Sequence, residues 1–348
     1  MNSHAAVPTK RSGGRITFSV LLVLLGVLLC GSLLLNCSAV HLLSGHAAKK
    51  ASRSSRGEDE SPKFSETHSY GAGDVKVVRI CFSGIIVRAE ETGIFATPDP
   101  VEAVIRKIRA ARQDEDVMGI LLEVNSPGGG VTDSDEIYHE LMEFKQSEGV
   151  NGPRKIVVLV GDMAASGGYY ISLPADLIVM QPTSIVGSIG VLLQSINFKT
   201  LSEKIGVKDV TIKSGENKDL LNPFQEVRPE QVAILQAVVD ASYARFLKLV
   251  SNARGIPEKK LRTLADGRIF SAEDAVKNKL ADRVGYRADA LAALAGLLGE
   301  EDLFVVTYQV DDSFFSLLFG EAEASLSGLR RWSEAVSPRP QRLYLWRP

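Results

Sequence analysis

From residue 75 onward, short apolar strands alternate with amphipathic helices, and several of the strands run straight into glycine-rich turns. VMGILLEV at 117–124 and KIVVLVGD at 155–162 are continuous apolar runs with no polar alternation. Such strands are covered on both faces, which requires helices above and below a mostly parallel sheet. Other segments complete the pattern. VKVVRICFSGII at 75–86 is a β-branched strand carrying a glycine turn. Residues 99–114 have helical periodicity, with Asp99 as N-cap and Val101, Val104, Ile105 and Ile108 on one face. SDEIYHELMEFKQ reads as a helix capped by Ser134. DLIVMQP and DVTIKSG read as further strands, residues 228–255 as a long helix, and EDAVKNKLADRVGY as carrying a short one. The fold class predicted is α/β.

Ahead of this region the chain changes character. Lys10, Arg11 and Arg15 precede residues 16–35, which carry no charge. About 20 apolar residues suffice to cross the hydrocarbon core of a bilayer, so the run is expected to be an uncleaved transmembrane anchor. Cleavage, or lipidation at Cys37 in LLLNC, is the alternative. The short basic N-terminus predicts an inside N-terminus and an outside catalytic domain. Residues 47–73 are polar and of mixed charge and read as a flexible tether. The expected organisation is a cytoplasmic N-terminus at 1–15, the anchor at 16–36, a linker at 37–73, a catalytic domain at 74–312 and a C-terminal extension at 313–348.

Composition excludes several functions. A formal net charge of −2 over 348 residues gives no electrostatic case for binding nucleic acid. The three cysteines and five histidines are scattered without metal-ligand spacing. Cys81 reads as a small buried strand residue.

Two glycine-rich turns can carry chemistry. In GDMAASGGYYIS a buried strand meets Ser166, then a glycine pair, then a helical stretch. A nucleophilic serine needs such a bend, small neighbours and backbone N–H groups for a developing oxyanion; an ordinary helix-capping turn has the same composition. In NSPGGG, Gly128, Gly129 and Gly130 leave peptide N–H groups unshielded, suited to half an oxyanion hole or to a groove that pairs with an extended peptide. No histidine follows Ser166, and His139 reads as a solvated helix residue, so a histidine base is not expected. A lysine is the substitute. Its pKa of about 10.4 in water must fall by burial before it accepts a proton at neutral pH. Lys218, Lys213 and Lys208 are the candidates, and spacing alone does not choose among them.

Taken together, NSPGG, AASGGYY, TSIVGSIGV, KSGENKD and ADGRIFSAEDA resemble the signal peptide peptidase A family of S49 serine proteases over residues 75–286. The resemblance implies a Clp protease/crotonase-like core of stacked sheets and helices and a Ser–Lys dyad. Ser166 matches the nucleophile, Lys218 the general base and Ser188 a residue that orients the lysine. Gly129 and Gly167 match the oxyanion donors. It implies no cofactor and no metal. The chain is of the half-length form, so the resemblance also implies a homo-oligomer whose lysine reaches the serine of a neighbouring subunit. The substrates implied are hydrophobic signal peptides, degraded at the bacterial inner membrane on its outer side. Misassembled membrane proteins are the alternative substrate. A crotonase-type acyl-CoA enzyme and a non-enzymatic scaffold are the alternatives outside the peptidase class. The C-terminal extension lies beyond the family motifs and is expected near the rim of the active site.

Overall fold

A computed structural model describes residues 62–89 and 99–309 and the strand 342–345. The expected anchor, Cys37 and most of the C-terminal extension lie outside these residues. No helix among the described residues is long and apolar enough to cross a membrane.

The strands and helices, in chain order, are as follows. Strands β1 (Ser65–Tyr70) and β2 (Lys76–Ser83) lead to helix α1 (Pro100–Gln113). Next come β3 (Val117–Ser126), β4 (Gly128–Gly130), α2 (Val131–Gln146) and the hairpin β5 (Glu148–Gly149) and β6 (Gly152–Pro153). Then β7 (Lys155–Ala165), α3 (Gly167–Ser172), β8 (Leu177–Met180), β9 (Ile185–Gly187) and β10 (Leu192–Leu193) build the centre. Helices α4 (Lys199–Ile205), α5 (Pro229–Arg254) and α6 (Glu258–Leu261) follow. The remainder is β11 (Ile269–Ser271), α7 (Ala272–Lys277), β12 (Arg283–Val284), α8 (Arg287–Leu298), β13 (Phe304–Gln309) and β14 (Arg342–Leu345).

The main sheet runs β1-β13-β2-β3-β7-β8-β12, with β9 branching from β7 and β11 pairing β9. From β13 through β12 every neighbouring pair is parallel, as the continuous apolar strands require. Alternation along the strands then divides two cores. Ile120, Leu122, Ile156 and Val158 face one layer with Ile105 and Ile108 of α1 and Leu141 and Phe144 of α2. Leu121, Val157 and Val179 face the other, against Ala290 and Leu294 of α8. Each large aliphatic side chain buried this way contributes about 1.5–3 kcal/mol.

Local chemistry sets the ends of α1. The Asp99 carboxylate accepts from the N–H groups of Val101 (2.9 Å) and Glu102 (3.3 Å), and Pro100 occupies the first helical turn, where no N–H is needed. At the other end the buried Arg154 guanidinium donates to the carbonyls of Arg112 (2.7 Å) and Asp114 (2.9 Å).

Four expectations are corrected. Residues 65–70, read as tether, form the edge strand β1. Its polar side chains face solvent, and its backbone pairs antiparallel with β13 while Phe64 stacks on Tyr308. DVTIKSG forms no strand; Val210 and Ile212 are 84% and 98% exposed, with no sheet edge beside them. Cys81 lies on β2 but is exposed, its thiol 3.5 Å from a Glu123 oxygen. Ser134 is not a cap: α2 begins at Val131 after Gly130, which places Ser134 inside the helix and fully buried.

Candidate active site

Strand β7 pairs with β3 from Lys155 to Ala164, with β8 along its first half and with β9 at Met163–Ala165. It ends at Ser166, whose φ of 54° and ψ of −114° put a non-glycine residue in a sparsely allowed backbone region. Strain of this kind persists only where the surroundings hold it. Here the Ser166 N–H donates to the Gly187 carbonyl (2.8 Å), and the Ser166 carbonyl accepts from the Tyr170 N–H (2.9 Å). The bend turns the chain sharply into α3, as an exposed nucleophile requires, although Ser166 is only 1% accessible here.

Helix α3 is fastened on several sides. The Tyr170 hydroxyl donates to Asp135 of α2 (2.5 Å), which also accepts from Arg245 of α5 (2.6 Å). The Tyr169 hydroxyl donates to the Leu280 carbonyl (2.8 Å), and burial pushes its pKa well above the usual phenol value. Both glycines after Ser166 are steric necessities. A Cβ on Gly168 would lie 2.7 Å from the Ser126 carbonyl oxygen, and one on Gly167 only 2.5 Å from Ser134 Oγ.

The NSPGGG turn lies directly beside this bend. Its strand β4 bridges Ile86: the Ile86 N–H donates to the Gly128 carbonyl (2.9 Å) and the Gly130 N–H to the Ile86 carbonyl (2.7 Å). Because strand residues alternate in direction, the N–H and carbonyl of Gly129 face the opposite edge. The Gly129 nitrogen is 3.1 Å from the point where a Gly167 side chain would begin. Gly129 and Gly167, singled out separately in the sequence, thus adjoin each other next to Ser166.

Ser188 follows β9 in another positive-φ conformation (φ 50°), with its N–H donating to the Arg268 carbonyl (2.7 Å). Ser166 and Ser188 line one cavity of about 570 Å³, walled by Val191, Val239, Tyr243 and Ala265. Asp240 and Asp266 also line it, and the sequence reading missed both. Asp266 is held to a pKa of about 2 by hydrogen bonds from Arg268. Asp240 accepts from Gln236 (2.7 Å). Nothing in their sequence surroundings marks them, since the cavity joins α5 and the turn at 265–267 only in three dimensions.

Lys218 does not line this cavity. It is exposed in a turn closed by its own N–H donating to the Gly215 carbonyl (3.1 Å). Of the rival lysines, Lys213 pairs with Asp219 (2.7 Å). Lys208 is exposed.

A final element crosses the site. Strand β14 lies between β10 and β4, antiparallel to both, with Tyr344 opposite Gly129 and Leu343 opposite Leu192. The edge that the sequence marked as a peptide-pairing groove is therefore paired with the chain's own C-terminal segment.

The model of peptidase family S49 matches residues 150–300. A candidate signal peptide peptidase SppA of Enterococcus faecium is 34% identical over 311 residues, covering 86% of this chain and 88% of that protein. Protease 4 of Salmonella typhi is 31% identical over 261 residues, covering 74% of this chain and 40% of that longer protein. A ClpP1 chain of Listeria monocytogenes, solved in a mutant form, matches 62% of this chain and 94% of its own length at 15% identity and a TM-score of 0.39. The assignment rests on the sequence relatives. A mixed α/β protein with these relatives is a serine-type peptidase. The chain belongs to peptidase family S49.

Proposed function

We propose that this chain is a membrane-anchored endopeptidase in which Ser166 is the nucleophile and Lys218 the general base, the two supplied by neighbouring copies. The observation that carries the reading is the strained, buried Ser166 at the end of β7, beside the Gly129 nitrogen and Gly167. Ser166 Oγ attacks the scissile carbonyl carbon while the lysine amine takes its proton. The carbonyl oxygen becomes anionic against the Gly129 and Gly167 N–H groups. Collapse of the intermediate returns the proton to the departing amine and leaves an acyl-enzyme, which water hydrolyses with the same lysine as base. Ser188, on the wall of the cavity, orients that lysine through its hydroxyl. A hydroxyl holds a neutral amine without the pull toward the ammonium form that a carboxylate exerts.

Lys218 is exposed in the single chain. A general base of this type has to be desolvated, and a second copy covering the surface around it supplies that. Exposed Val207, Val210 and Ile212 precede Lys218, and exposed Phe224 and Val227 follow it, which favours a homo-oligomer.

The substrates we assign are hydrophobic signal peptides left after secretory processing, bound in extended form along the edge of Gly128–Gly130. The pairing of β14 with that edge supports the binding mode. The apolar run at 16–35 supports delivery from the membrane, with the catalytic domain on the outer side of the bacterial inner membrane. We assign the C-terminal extension a role at the rim, where its strand competes with substrate. The test is labelling with a serine-reactive peptide phosphonate, followed by mapping of the adduct. Label on Ser166, with Ser166→Ala folded, unlabelled and without turnover, is the expected result. A label on any other serine rejects the assignment.

A further inference from the structure

Asp240 is a carboxylate in the Ser166 cavity that none of the steps above uses. It lies on α5, where Gln236, Val239, Asp240 and Tyr243 recur at helical spacing and form one wall. Residues 189–192, directly after Ser188, form a second wall, and the turn at 265–267 a third. At about 570 Å³ the cavity falls in the range of pockets that enclose a small ligand.

The two acids of this cavity differ. Asp266 is already matched, because Arg268 donates to both of its oxygens, at 2.8 and 2.6 Å. Asp240 accepts from the neutral Gln236 amide (2.7 Å), and no cation pairs with it among the described residues. No basic side chain lines the cavity either. One carboxylate is therefore left without a counter-charge in the space that Ser166 opens into. Around it the walls are largely apolar, with Ile189, Val191, Val239 and Ala265, and the Tyr243 hydroxyl is taken up by the Ala265 carbonyl (2.5 Å). Apolar walls with one unmatched carboxylate suit a side chain that has an apolar stem and a cationic head, which is lysine or arginine.

We propose that Asp240 is a specificity-determining residue that reads a lysine or arginine side chain of the substrate close to the scissile bond. The assignment rests on Ser166 as nucleophile, and the cavity shared by Ser166 and Asp240 is what ties the carboxylate to the reaction. Lys218 of a neighbouring copy is the other cation that reaches this space in the proposed assembly. A carboxylate would hold its amine in the protonated form and disable it as a base, so Asp240 belongs to the substrate. A signal peptide carries its basic residues at one end of its apolar stretch. Recognition by Asp240 directs the cut to that junction and away from the middle of the apolar run.

The test uses internally quenched peptides blocked at both ends, so that only a side chain can supply the cation. The peptides are identical except at one position, which carries lysine or norleucine and is moved along the residues on either side of the cut. For the wild-type full chain, kcat/KM for lysine should exceed that for norleucine by about 10- to 100-fold at the preferred position, the order of a hydrogen bond to a charged group. In Asp240→Asn that preference should vanish, and Asp240→Glu should restore part of it. A wild-type enzyme with no preference for lysine at any position overturns the proposal, as does a preference that survives in Asp240→Asn. So does a shifted pH–rate profile for both peptides in Asp240→Asn with the preference intact, which gives the carboxylate to the base instead. If Ser166→Ala keeps turnover, the nucleophile assignment fails and this one with it. If Ser166→Ala is dead and the wild type does not prefer lysine, only the role of Asp240 is rejected.

Discussion

The two residues proposed as a dyad sit in opposite kinds of structure. Ser166 is at the end of a largely buried strand, its backbone held on both sides, and the helix behind it is tied by Tyr169, Tyr170, Asp135 and Arg245. Lys218 lies in an arm that, from residue 207 to 227, contains no helix or strand. The arm organises itself through side chains: the Asp209 carboxylate accepts from Thr211 (2.9 Å), Asn222 (2.9 Å) and Gln225 (3.1 Å). Its apolar residues face outward, and the outward face continues along the first half of α5 through Val232, Ile234 and Val238. One chain builds the nucleophile's surroundings completely. The surroundings of the proposed base are unfinished within one chain, and in the proposed assembly burial against a neighbour would complete them.

The largest effect is expected where that contrast is sharpest. Replacing Val210 and Ile212 by Asp leaves the fold intact, because neither is part of the core. Fully burying a valine or isoleucine side chain contributes about 1.5–3 kcal/mol, and an aspartate in its place would have to be buried charged. The double variant should therefore sediment as a smaller species than the wild type and lose peptide turnover with it. Retained assembly together with full activity would remove the arm from the interface.

A smaller effect is expected on the serine side. Ending the chain at residue 341 removes β14 from the groove. A tethered strand competes at an effective concentration on the order of millimolar, so the truncated chain should show a KM lowered severalfold at similar kcat. An unchanged KM means that the strand is displaced at no cost and plays no part in access.

The smallest effect concerns the sheet itself, away from both sites. Glu123 on β3 accepts from Arg79 (2.8 and 2.9 Å) and Arg287, and lies partly buried between them. Burial alone would raise its pKa, but the two guanidinium groups outweigh it and hold the value at about 2. A carboxylate depressed in the folded state adds stability above its unfolded pKa, about 4.3, and loses that stability as pH falls toward the folded value. Glu123→Gln should cost about 1–3 kcal/mol at neutral pH. Its melting temperature and that of the wild type should converge between about pH 4 and pH 2. Activity per folded molecule should not change; if it does, the rigid half of the molecule is coupled to the site more widely than the hydrogen bonds indicate.

The contrast also explains what was legible in the sequence. Strands β3, β7 and β8 and helix α1 could be read directly, because burial on two faces leaves a continuous apolar run and burial on one face of a helix leaves a periodic one. The bend at Ser166 and the Gly128–Gly130 turn could be marked as candidates because a sharp bend and close backbone approach demand small residues in runs, whereas Gly129 and Gly167 are picked out by the family resemblance. The arm misled. VTI in DVTIKSG has the alternation of a strand, but a strand also needs a neighbouring edge, and no alternation in one segment reports whether an edge is there. β1 misled in the opposite sense, since an edge strand is held by its backbone and its polar side chains leave no apolar signature. Ser134 looked like a helix cap because capping residues and buried hydroxyls share one letter. Asp240 and Asp266 reach the cavity only through tertiary packing.

The division of the active site between copies can be measured most directly by mixing two inactive variants. Ser166→Ala and Lys218→Ala, each purified as the full chain, should show no turnover alone. Dissociated, combined and reassembled, they should recover a fraction of wild-type activity, since some sites then pair an intact serine with an intact lysine from the other variant. If mixed assemblies form and no activity returns, the two residues do not act across subunits, and the exposed lysine of the single chain is not the base.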